Sequence, residues 1–238
     1  MSRGAYLLEP GTVAYGDAWE LQRSLAGAVS QGAIPETVVL LEHPPVITLG
    51  RRTTEGELHV PDDADVEIVE TNRGGKSTYH GPGQLVCYPI LDLRRHGEDV
   101  KKYVRDLEEA LIRTIAAFGL EGVRFDGDNM SGVWLHRPPR KIASIGIHVS
   151  KWITTHGYAL NVDLDLAPFT EWITACGLED AAFTTIAREI DRPVAIAEVL
   201  PHARTAIAEV FGLSFEPLPA DGGAGLWPQP VHEQLAAR

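Results

Sequence analysis

The sequence predicts an α+β fold, a mixed β-sheet flanked by helices that pack on one side of it. Segments with strand character outnumber segments with helical periodicity, and the two kinds do not alternate strictly along the chain. The 238 residues, 44% of them hydrophobic, can bury one core without disulfides. We expect one domain over residues 1–216 and a tail over residues 217–238 that is rich in proline, glycine and alanine.

The first half of the chain has one helical pattern and several strand patterns. Asp17–Gly32 carries apolar residues at helical spacing, with Asp17 as the expected N-cap and Gly32 as the stop. The polar stretch Arg51–Asp65 predicts a loop. β-branched and apolar residues predict strands over Glu36–His43, Val46–Leu49, Val66–Thr71 and Gln84–Leu91.

The second half has two long helical patterns and one hairpin pattern. Asp99 can cap a helix that carries a clear apolar stripe. Alternating apolar residues over 141–164 predict a hairpin with its turn at Thr154–Gly157. A short helix is expected over 166–175, and a longer amphipathic one over Ile196–Phe211.

Charge and hydropathy disfavour several classes of protein. The chain has 21 Lys and Arg residues against 33 Asp and Glu, so its formal net charge of −12 argues against binding to nucleic acid. It shows neither an apolar run of about 18 residues nor a signal-peptide pattern, so we expect neither secretion nor membrane insertion. Cys87 and Cys176 are expected to be free thiols in a reducing cytoplasm.

A glycine-rich loop after the Val66–Thr71 strand is the densest unusual stretch of the chain. Between Arg73 and Gln84 it combines four glycines, a proline, two cations and a histidine. Glycines let backbone N–H groups approach a ligand closely, and the cations Arg73 and Lys76 can meet an anion or a polarised carbonyl. The alternative interpretation is a Gly-Pro turn with solvated charges. The spacing matches neither a Walker loop nor GxGxxG.

Cys176 and Lys141 form the second candidate feature. Cys176 follows a predicted short helix and precedes Gly177, which is typical of an exposed turn. A lone cysteine is more often a small buried hydrophobe, and Cys87, inside an apolar strand, keeps that interpretation. If the Lys141 ammonium lies beside Cys176, it lowers the thiol pKa from its usual value of about 8.5 and can pass a proton to a leaving group.

The histidines show no spacing that is typical of a metal site, so we expect no metal. Only His80, inside the glycine-rich loop, is expected to lie in a pocket. The sequence also has no GxSxG nucleophile elbow. The histidines considered are His43, His80, His148 and His156.

Together these segments resemble the lipoyl(octanoyl) transferases, the octanoyl-acyl-carrier-protein:protein transferases of lipoate biosynthesis. The resemblance extends to about Leu213. It is carried by the stretches LEHPPVITLGRR at 41–52, RGGKSTYHGPGQLVCYPI at 73–90, SGVWL at 131–135, KIASIGIHVSKWITTHGYALNV at 141–162 and the Cys-Gly pair at 176–177.

The resemblance implies a fold similar to the catalytic domain of biotin and lipoate protein ligases, with residues 1–216 as the octanoyltransferase catalytic domain. The acyl-thioester cysteine of the family falls on Cys176, and the lysine that lowers its pKa falls on Lys141. The substrate contacts of the family fall on Arg73, Gly74, Gly75, Lys76, Ser77, Thr78, Tyr79, His80, Ser144, Ile145, Gly146, Gly157, Tyr158 and Ala159.

The implied reaction has two steps. Cys176 takes an octanoyl or lipoyl group from acyl carrier protein, and a lysine of an apo lipoyl domain then takes it from the cysteine, with Lys141 or His80 accepting the proton. The implied acceptors are lipoyl domains of 2-oxoacid dehydrogenases and the glycine cleavage H protein. Because the first step exchanges one thioester for another, neither ATP nor another cofactor is needed. An apolar groove near Ile145 and Tyr158 is expected to hold the acyl tail.

Three alternatives stay open beside this interpretation. An ATP-dependent lipoate or biotin protein ligase would not need Cys176, a non-catalytic acyl-binding protein would form no covalent adduct, and a thioester hydrolase would pass the acyl group to water. The chain also departs from the family pattern twice, with Ala175 in place of a common proline and Cys87 in place of a small residue.

The charge of the donor gives one further expectation. Acyl carrier proteins are acidic as a family, so a chain of net charge −12 should repel them at long range. We therefore expect cations to gather at the mouth of the pocket. They are Arg51, Arg52, Arg73, Lys76, Arg140, Lys141 and Lys151.

Overall fold

The computed structural model describes residues 2–127, 130–173 and 182–217 of the chain. The strands are β1 (Arg3–Thr12), β2 (Glu36–Glu42), β3 (Val46–Leu49), β4 (Glu67–Glu70), β5 (Thr78–His80), β6 (Gln84–Ile90), β7 (Gly132–His136), β8 (Pro139–Ser150), β9 (Ile153–Asn161) and β10 (Leu213–Glu216). The α-helices are α1 (Tyr15–Ser30), α2 (Val100–Ala116), α3 (Ile186–Ile190) and α4 (Ile196–Phe211).

In the described part of the chain, seven strands form a mixed sheet in the order β10-β1-β2-β6-β9-β8-β7. β1 is parallel to β10 and to β2, and the other neighbouring strands are antiparallel. A smaller sheet has the order β4-β3-β5, and the glycine-rich loop connects β4 to β5. The predicted class, a mixed sheet flanked by helices, is confirmed.

The helices cover both faces of the large sheet, so the expectation that they pack on one side is wrong. Along β2, Val38 and Leu40 belong to the core under α2 and α4, whereas Val39 and Leu41 belong to the core under α1. A strand covered on both faces carries a continuous apolar run instead of an alternating one. The run Val38–Leu41 is the sequence signal of this arrangement.

The ends of the helices show which capping predictions hold. Asp99 caps α2, because its carboxylate accepts a 3.0 Å hydrogen bond from the backbone N–H of Lys102. α1 begins two residues before the predicted cap, so Asp17 lies in the first turn and the N-cap is Ala14. Gly32, with φ of 68°, confirms the predicted stop.

The predicted hairpin is formed by β8 and β9, but its turn is not where the sequence predicts it. The chain reverses at Lys151 and Trp152, which have φ of 49° and 67°, and Ser150 pairs with Ile153. The predicted turn, Thr154–Gly157, lies inside β9. Its polar and small residues resemble a turn in sequence, although they form a strand that borders the site.

Other predicted elements hold in part. The strands predicted over Glu36–His43, Val46–Leu49, Val66–Thr71 and Gln84–Leu91 appear as β2, β3, β4 and β6, and Ile196–Phe211 appears as α4. The helix predicted over 166–175 is a π-helical turn at Pro168–Trp172, and its last two residues lie outside the described ones, as does the tail beyond residue 217.

Among the described strands and α-helices, five have no counterpart in the sequence predictions: β1, β5, β7, β10 and α3. β5 has only three residues and lies inside the glycine-rich loop, where the glycines mask it. No helix in the described ranges is long and apolar enough to cross a membrane.

Candidate active site

A pocket of about 180 Å³ lies between the glycine-rich loop and the β8–β9 hairpin. It brings together nearly all the substrate-contact residues that the sequence predicts. Tyr79 does not line it, because its ring packs against Phe169 and Trp172. Those that line it are Arg73, Gly74, Gly75, Lys76, Ser77, Thr78, His80, Ser144, Ile145, Gly146, Gly157, Tyr158 and Ala159, together with Lys141.

Two glycines allow the glycine-rich loop to lie directly on its neighbours. The N–H of Gly74 donates a 2.8 Å hydrogen bond to the carbonyl of Ile147 on β8. A Cβ at Gly146 would lie 3.1 Å from the carbonyl oxygen of Gly74, and one at Gly50 would lie 2.4 Å from that of Gly75. Side chains at either position would push the loop away from the hairpin.

Arg73 is buried, and the small sheet fixes its guanidinium. Its Nε donates to the Thr48 hydroxyl at 3.0 Å, and its Nη2 donates to the Thr48 carbonyl at 2.6 Å. Its Nη1 donates to the carbonyl of Gly74 at 3.1 Å. The charge of Arg73 is therefore held at one point of the pocket wall and needs no rearrangement to act on a ligand.

Lys76 and Ser77 are placed differently from each other. Lys76 forms an ion pair with Glu57, and the hydrogen bonds from Lys76 and Thr54 lower the pKa of Glu57 although its burial opposes this. The cation of Lys76 is thus already matched by a carboxylate. The buried hydroxyl of Ser77 has no hydrogen-bond partner among the described residues, so a ligand in the pocket can provide one.

His80 lies in the pocket as predicted, and it is neutral. Burial, followed by the neighbouring His43, lowers its pKa to about 3. Its Nδ1 lies 2.7 Å from the side-chain oxygen of Gln84. A histidine with so low a pKa is a weak proton acceptor at neutral pH.

The pocket also contains aromatic and histidine side chains that the sequence analysis missed. Tyr15, Tyr88 and His156 line it, and His43 lies behind them. The sequence features that could have pointed to these residues are the apolar neighbours of the two tyrosines and the position of His156 directly before Gly157. The expectation that His80 is the only histidine in a pocket is therefore wrong.

His43 and Tyr88 form a buried pair with a defined direction. His43 Nδ1 lies 2.7 Å from the Val13 carbonyl, so Nδ1 carries the proton and donates it. The other ring nitrogen therefore accepts from the Tyr88 hydroxyl, also at 2.7 Å. Burial lowers the pKa of His43 to about 4, which keeps this ring neutral.

His156 has a left-handed backbone, with φ of 56°, which is uncommon for a residue other than glycine. Its N–H donates to the Gln22 side chain at 2.6 Å, and its Nε2 lies 2.8 Å from the Asn72 side-chain oxygen. Burial, followed by the charge of Arg73, lowers its pKa to about 3. The structure holds a strained residue at the pocket wall with hydrogen bonds from two other elements.

Lys141 is only 1% exposed and lines the pocket from β8. Its Nζ lies 5.1 Å from the centre of the Trp134 ring, within the range of a cation–π contact. A Cβ at Gly132 would lie 3.0 Å from Lys141 Cε and 2.2 Å from the Ala143 carbonyl oxygen. Gly132 therefore leaves the space through which the lysine reaches the pocket.

The backbone of Lys141 is also bonded to the chain that follows Cys176. Its N–H donates to the carbonyl of Ala182 at 2.8 Å, and its carbonyl accepts from the N–H of Thr184 at 3.0 Å. Cys176 itself, like Ala175, lies outside the described residues. The two anchored ends of that segment are Ile173, which bridges to Leu58, and Ala182.

Cys87 is fully buried on β6. Burial raises the pKa of its thiol far above the usual range, so the thiolate is not available at neutral pH. The interpretation of Cys87 as a core residue is confirmed.

The predicted cations gather at the pocket only in part. Arg52, Arg73, Lys76 and Lys141 line it, and Arg51 lies beside Arg52 on the exposed turn after β3. Arg140 lies on a second groove outside the pocket, where it forms an ion pair with Glu189. Lys151 lies at the turn of the hairpin.

Within the described residues, no group of three or more His, Cys, Asp and Glu side chains could hold a metal ion.

Comparison with known proteins agrees with this architecture. Residues 14–208 match the family model of the lipoyl protein ligase A/B catalytic domain. The octanoyltransferase of Mycobacterium tuberculosis is 51% identical over 199 residues, which cover 83% of each chain. A crystal structure of lipoate-protein ligase A bound with ATP superposes with a TM-score of 0.69 at 16% identity and covers 100% of this chain and 94% of the other.

A biotin protein ligase of Aquifex aeolicus, in complex with biotin and ATP, superposes with a TM-score of 0.51 at 13% identity and covers 87% of this chain and 70% of the other. The fold is thus that of the lipoate and biotin protein ligase catalytic domains. Within this class, the chain belongs to the octanoyltransferase family, and it is an acyltransferase of protein lipoylation.

Proposed function

We propose that this enzyme moves an octanoyl or lipoyl group from acyl carrier protein to a lysine of an apo lipoyl domain, through a thioester on Cys176. The acceptors would be the lipoyl domains of 2-oxoacid dehydrogenases and the glycine cleavage H protein, in the cytoplasm. Similarity to octanoyltransferases supports the transfer itself.

The observation that carries this proposal is where the two described residues that flank the Cys176 segment are held, one of them by the backbone of Lys141. The segment leaves the described chain at Ile173, which bridges to Leu58, next to the partner of Lys76. It returns at Ala182, which is bonded to Lys141 itself. These anchors support a Cys176 thiol near the Lys141 ammonium.

In the first step, the Cys176 thiolate attacks the carbonyl carbon of the donor thioester. The new C–S bond forms, the bond to the carrier thiol breaks, and Lys141 gives that leaving sulfur its proton. Lys141 is left neutral. The fixed guanidinium of Arg73 and the backbone N–H groups near Gly75 are the candidates to stabilise the oxyanion.

In the second step, the amine of the acceptor lysine attacks the acyl-enzyme. A C–N bond forms, the bond to Cys176 breaks, and the sulfur leaves as a thiolate. The neutral Lys141 accepts the proton that the amine loses, which returns the site to its starting charge. Lys141 is preferred over His80 as this acceptor because burial holds the pKa of His80 at about 3.

The pocket wall beside these groups suits an apolar acyl chain. Ser144, Gly146, Gly157 and Ala159 present little or no side chain from the paired strands β8 and β9. Tyr158 also borders the pocket, although its ring belongs to the core under α2. Small residues on rigid strands leave a cleft that a flexible chain can enter without rearrangement of the sheet.

The experiment that tests this proposal follows the mass of an apo lipoyl domain mixed with octanoyl-acyl carrier protein and the enzyme, without ATP. The expected result is one octanoyl addition on one lysine of the domain. Cys176→Ala should abolish it, and Cys87→Ala, the matched control, should retain it. Transfer that requires ATP and survives in Cys176→Ala would establish a ligase instead, and release of free octanoate would establish a hydrolase.

A further inference from the structure

A series of buried hydrogen bonds runs from the pocket to Thr184, in the segment that follows Cys176 along the sequence. His80 Nδ1 lies 2.7 Å from Gln84 Oε1, and Gln84 Nε2 lies 2.9 Å from Asn161 Oδ1. Asn161 Nδ2 then lies 3.1 Å from the carbonyl of Thr184, whose N–H donates to the Lys141 carbonyl. All four residues from His80 to Thr184 are buried. The mechanism proposed above uses neither Gln84 nor Asn161.

Two backbone carbonyls fix which group donates and which accepts in each hydrogen bond of this series. The carbonyls of Tyr79 and Thr184 can only accept, so the amide groups of Gln84 and Asn161 must turn their NH₂ ends toward them. The oxygen of Gln84 therefore faces His80. An amide oxygen cannot donate, so His80 Nδ1 must carry the proton and donate it.

The other nitrogen of His80 is then a hydrogen-bond acceptor. His80 lines the pocket, and its Nε2 makes no hydrogen bond with any described residue. Tyr15 of α1 stacks on the ring at 6.1 Å, and His43 meets it edge-on at 5.7 Å. Arg73 and His156 are the other charged or titratable groups that act on it, and Arg73 disfavours a second positive charge.

We infer that Gln84 and Asn161 are positioning residues that hold His80 with Nδ1 protonated, so that Nε2 accepts a hydrogen bond from the amine of the acceptor lysine. This inference rests on the proposed function. A neutral amine has one lone pair and two N–H groups. One N–H gives its proton to Lys141 in the second step, and the other donates to His80 Nε2 and stays on the amide nitrogen. These two acceptors together turn the lone pair toward the thioester carbon.

The first test reads the tautomer of His80 directly in the unmodified enzyme. Nitrogen-15 NMR of histidine-labelled protein distinguishes protonated from unprotonated ring nitrogens, and the spectrum of His80→Asn identifies the signals of His80. We expect protonated Nδ1 and unprotonated Nε2 from about pH 5 to pH 8. A proton on Nε2 in that range would overturn the inference.

The second test places a carboxylate where the oxygen of Gln84 faces His80. In Gln84→Glu this charge raises the pKa of His80, so that Nε2 becomes a donor as the pH falls. We load the enzyme from octanoyl-acyl carrier protein, remove the carrier, and measure single-turnover transfer of the octanoyl group to the apo lipoyl domain from about pH 5 to pH 8. The ratio of variant to wild-type rate cancels the pH dependence that the two enzymes share, including that of the acceptor amine.

The expected ratio is constant at high pH and falls by up to about tenfold for each pH unit below the raised pKa. His80→Asn/Gln84→Glu is the control, since it keeps the carboxylate and removes the titrating ring, and its ratio to His80→Asn should not depend on pH. A flat ratio for Gln84→Glu, with the raised His80 pKa confirmed by NMR, would overturn the role of Nε2. Wild-type loading and discharge would still support the proposed function in that case.

Discussion

Lys141 reaches the pocket through a gap that only a glycine leaves, and it is the described residue with the most direct part in the proposed chemistry. In Lys141→Ala the proton donor of the first step and the acceptor of the second are both lost. We expect the rate of octanoyl transfer to fall by a factor on the order of 10² to 10⁴. Steady-state transfer to an apo lipoyl domain measures this. Lys101→Ala, an exposed lysine of α2, is the control and should transfer at the wild-type rate.

Cys87 gives the complementary prediction. Its thiol is buried against the core and its raised pKa keeps it protonated, so Cys87→Ala should leave the transfer rate within about twofold of wild type. The free energy of unfolding should fall by about 1 kcal/mol, because the sulfur leaves a small cavity. Urea denaturation and the same transfer assay measure both quantities. If Cys87→Ala no longer transfers the octanoyl group, then Cys87, and not Cys176, is the nucleophile.

At the scale of residues, the sequence predicts the loop Arg73–His80 as part of a site, because its glycines and cations are unusually dense. It does not predict the roles of Gln84 and Asn161, which are 77 positions apart and share one buried hydrogen bond. The two side chains come into contact only when β6 pairs with β9, and no local sequence pattern predicts this contact. The ion pair between Lys76 and Glu57 is hidden for the same reason.

The helices α1 and α2 offer a matched comparison of charge and hydrogen bonding at their N-termini. Asp99 caps α2 with a hydrogen bond, whereas Asp17 lies in the first turn of α1 without a cap role. We expect Asp99→Ala to lower the free energy of unfolding by about 1 kcal/mol. Asp17→Ala loses only its interaction with the helix dipole, which is worth about 0.5 kcal/mol. Equal losses in urea denaturation would contradict this difference.

At the scale of elements, periodicity is sufficient for the long helices and for the strands β2, β3, β4, β6, β8 and β9. It fails where tertiary contacts decide. Thr154–Gly157 looks like a turn in sequence, but it forms part of β9, because its pairing with β8 continues to the two-residue turn at Lys151 and Trp152. β1 and β10 pair with distant partners in the parallel part of the sheet, so nothing near them in sequence marks the arrangement.

For the whole molecule, three buried neutral histidines predict how stability depends on pH. Burial lowers the pKa of His43 to about 4, and that of His80 and His156 to about 3, from 6.5 in the unfolded chain. Between these values the unfolded state binds more protons than the folded one, so the free energy of unfolding must fall as the pH decreases.

Each of these histidines contributes a slope of up to about 1.4 kcal/mol per pH unit below its unfolded pKa. Urea denaturation between about pH 4.5 and pH 7.5 measures the slope. His43→Gln can keep both hydrogen bonds of the ring, so it should fold and should reduce the slope by one histidine's share. A slope that is unchanged in this variant would show that His43 is not buried as a neutral group.

The charge of the molecule makes a further prediction about its donor. Arg51 and Arg52 form no ion pair with a described residue, and they stand at the pocket on a chain of net charge −12. Burial lowers the pKa of His148, and the charge of Arg51 lowers it further. These two arginines are therefore the expected contact for an acidic carrier protein.

Arg51→Glu/Arg52→Glu should raise the KM for octanoyl-acyl carrier protein by a factor on the order of ten. It should leave the KM for the octanoyl thioester of a small uncharged thiol unchanged. Lys101→Glu/Arg137→Glu changes the net charge equally at exposed sites away from the pocket, and it is the control. Equal effects of both double variants would assign the change to net charge and not to docking.

The central claim, a thioester on Cys176, is tested most directly by intact mass spectrometry of the enzyme after mixing with octanoyl-acyl carrier protein without ATP. Peptide mapping then locates the added group, and hydroxylamine shows whether it is a thioester. The account predicts a single octanoyl group on Cys176, labile to hydroxylamine, that disappears when an apo lipoyl domain is added. An unmodified enzyme that still acylates the domain, or an octanoyl group on Cys87, would contradict it.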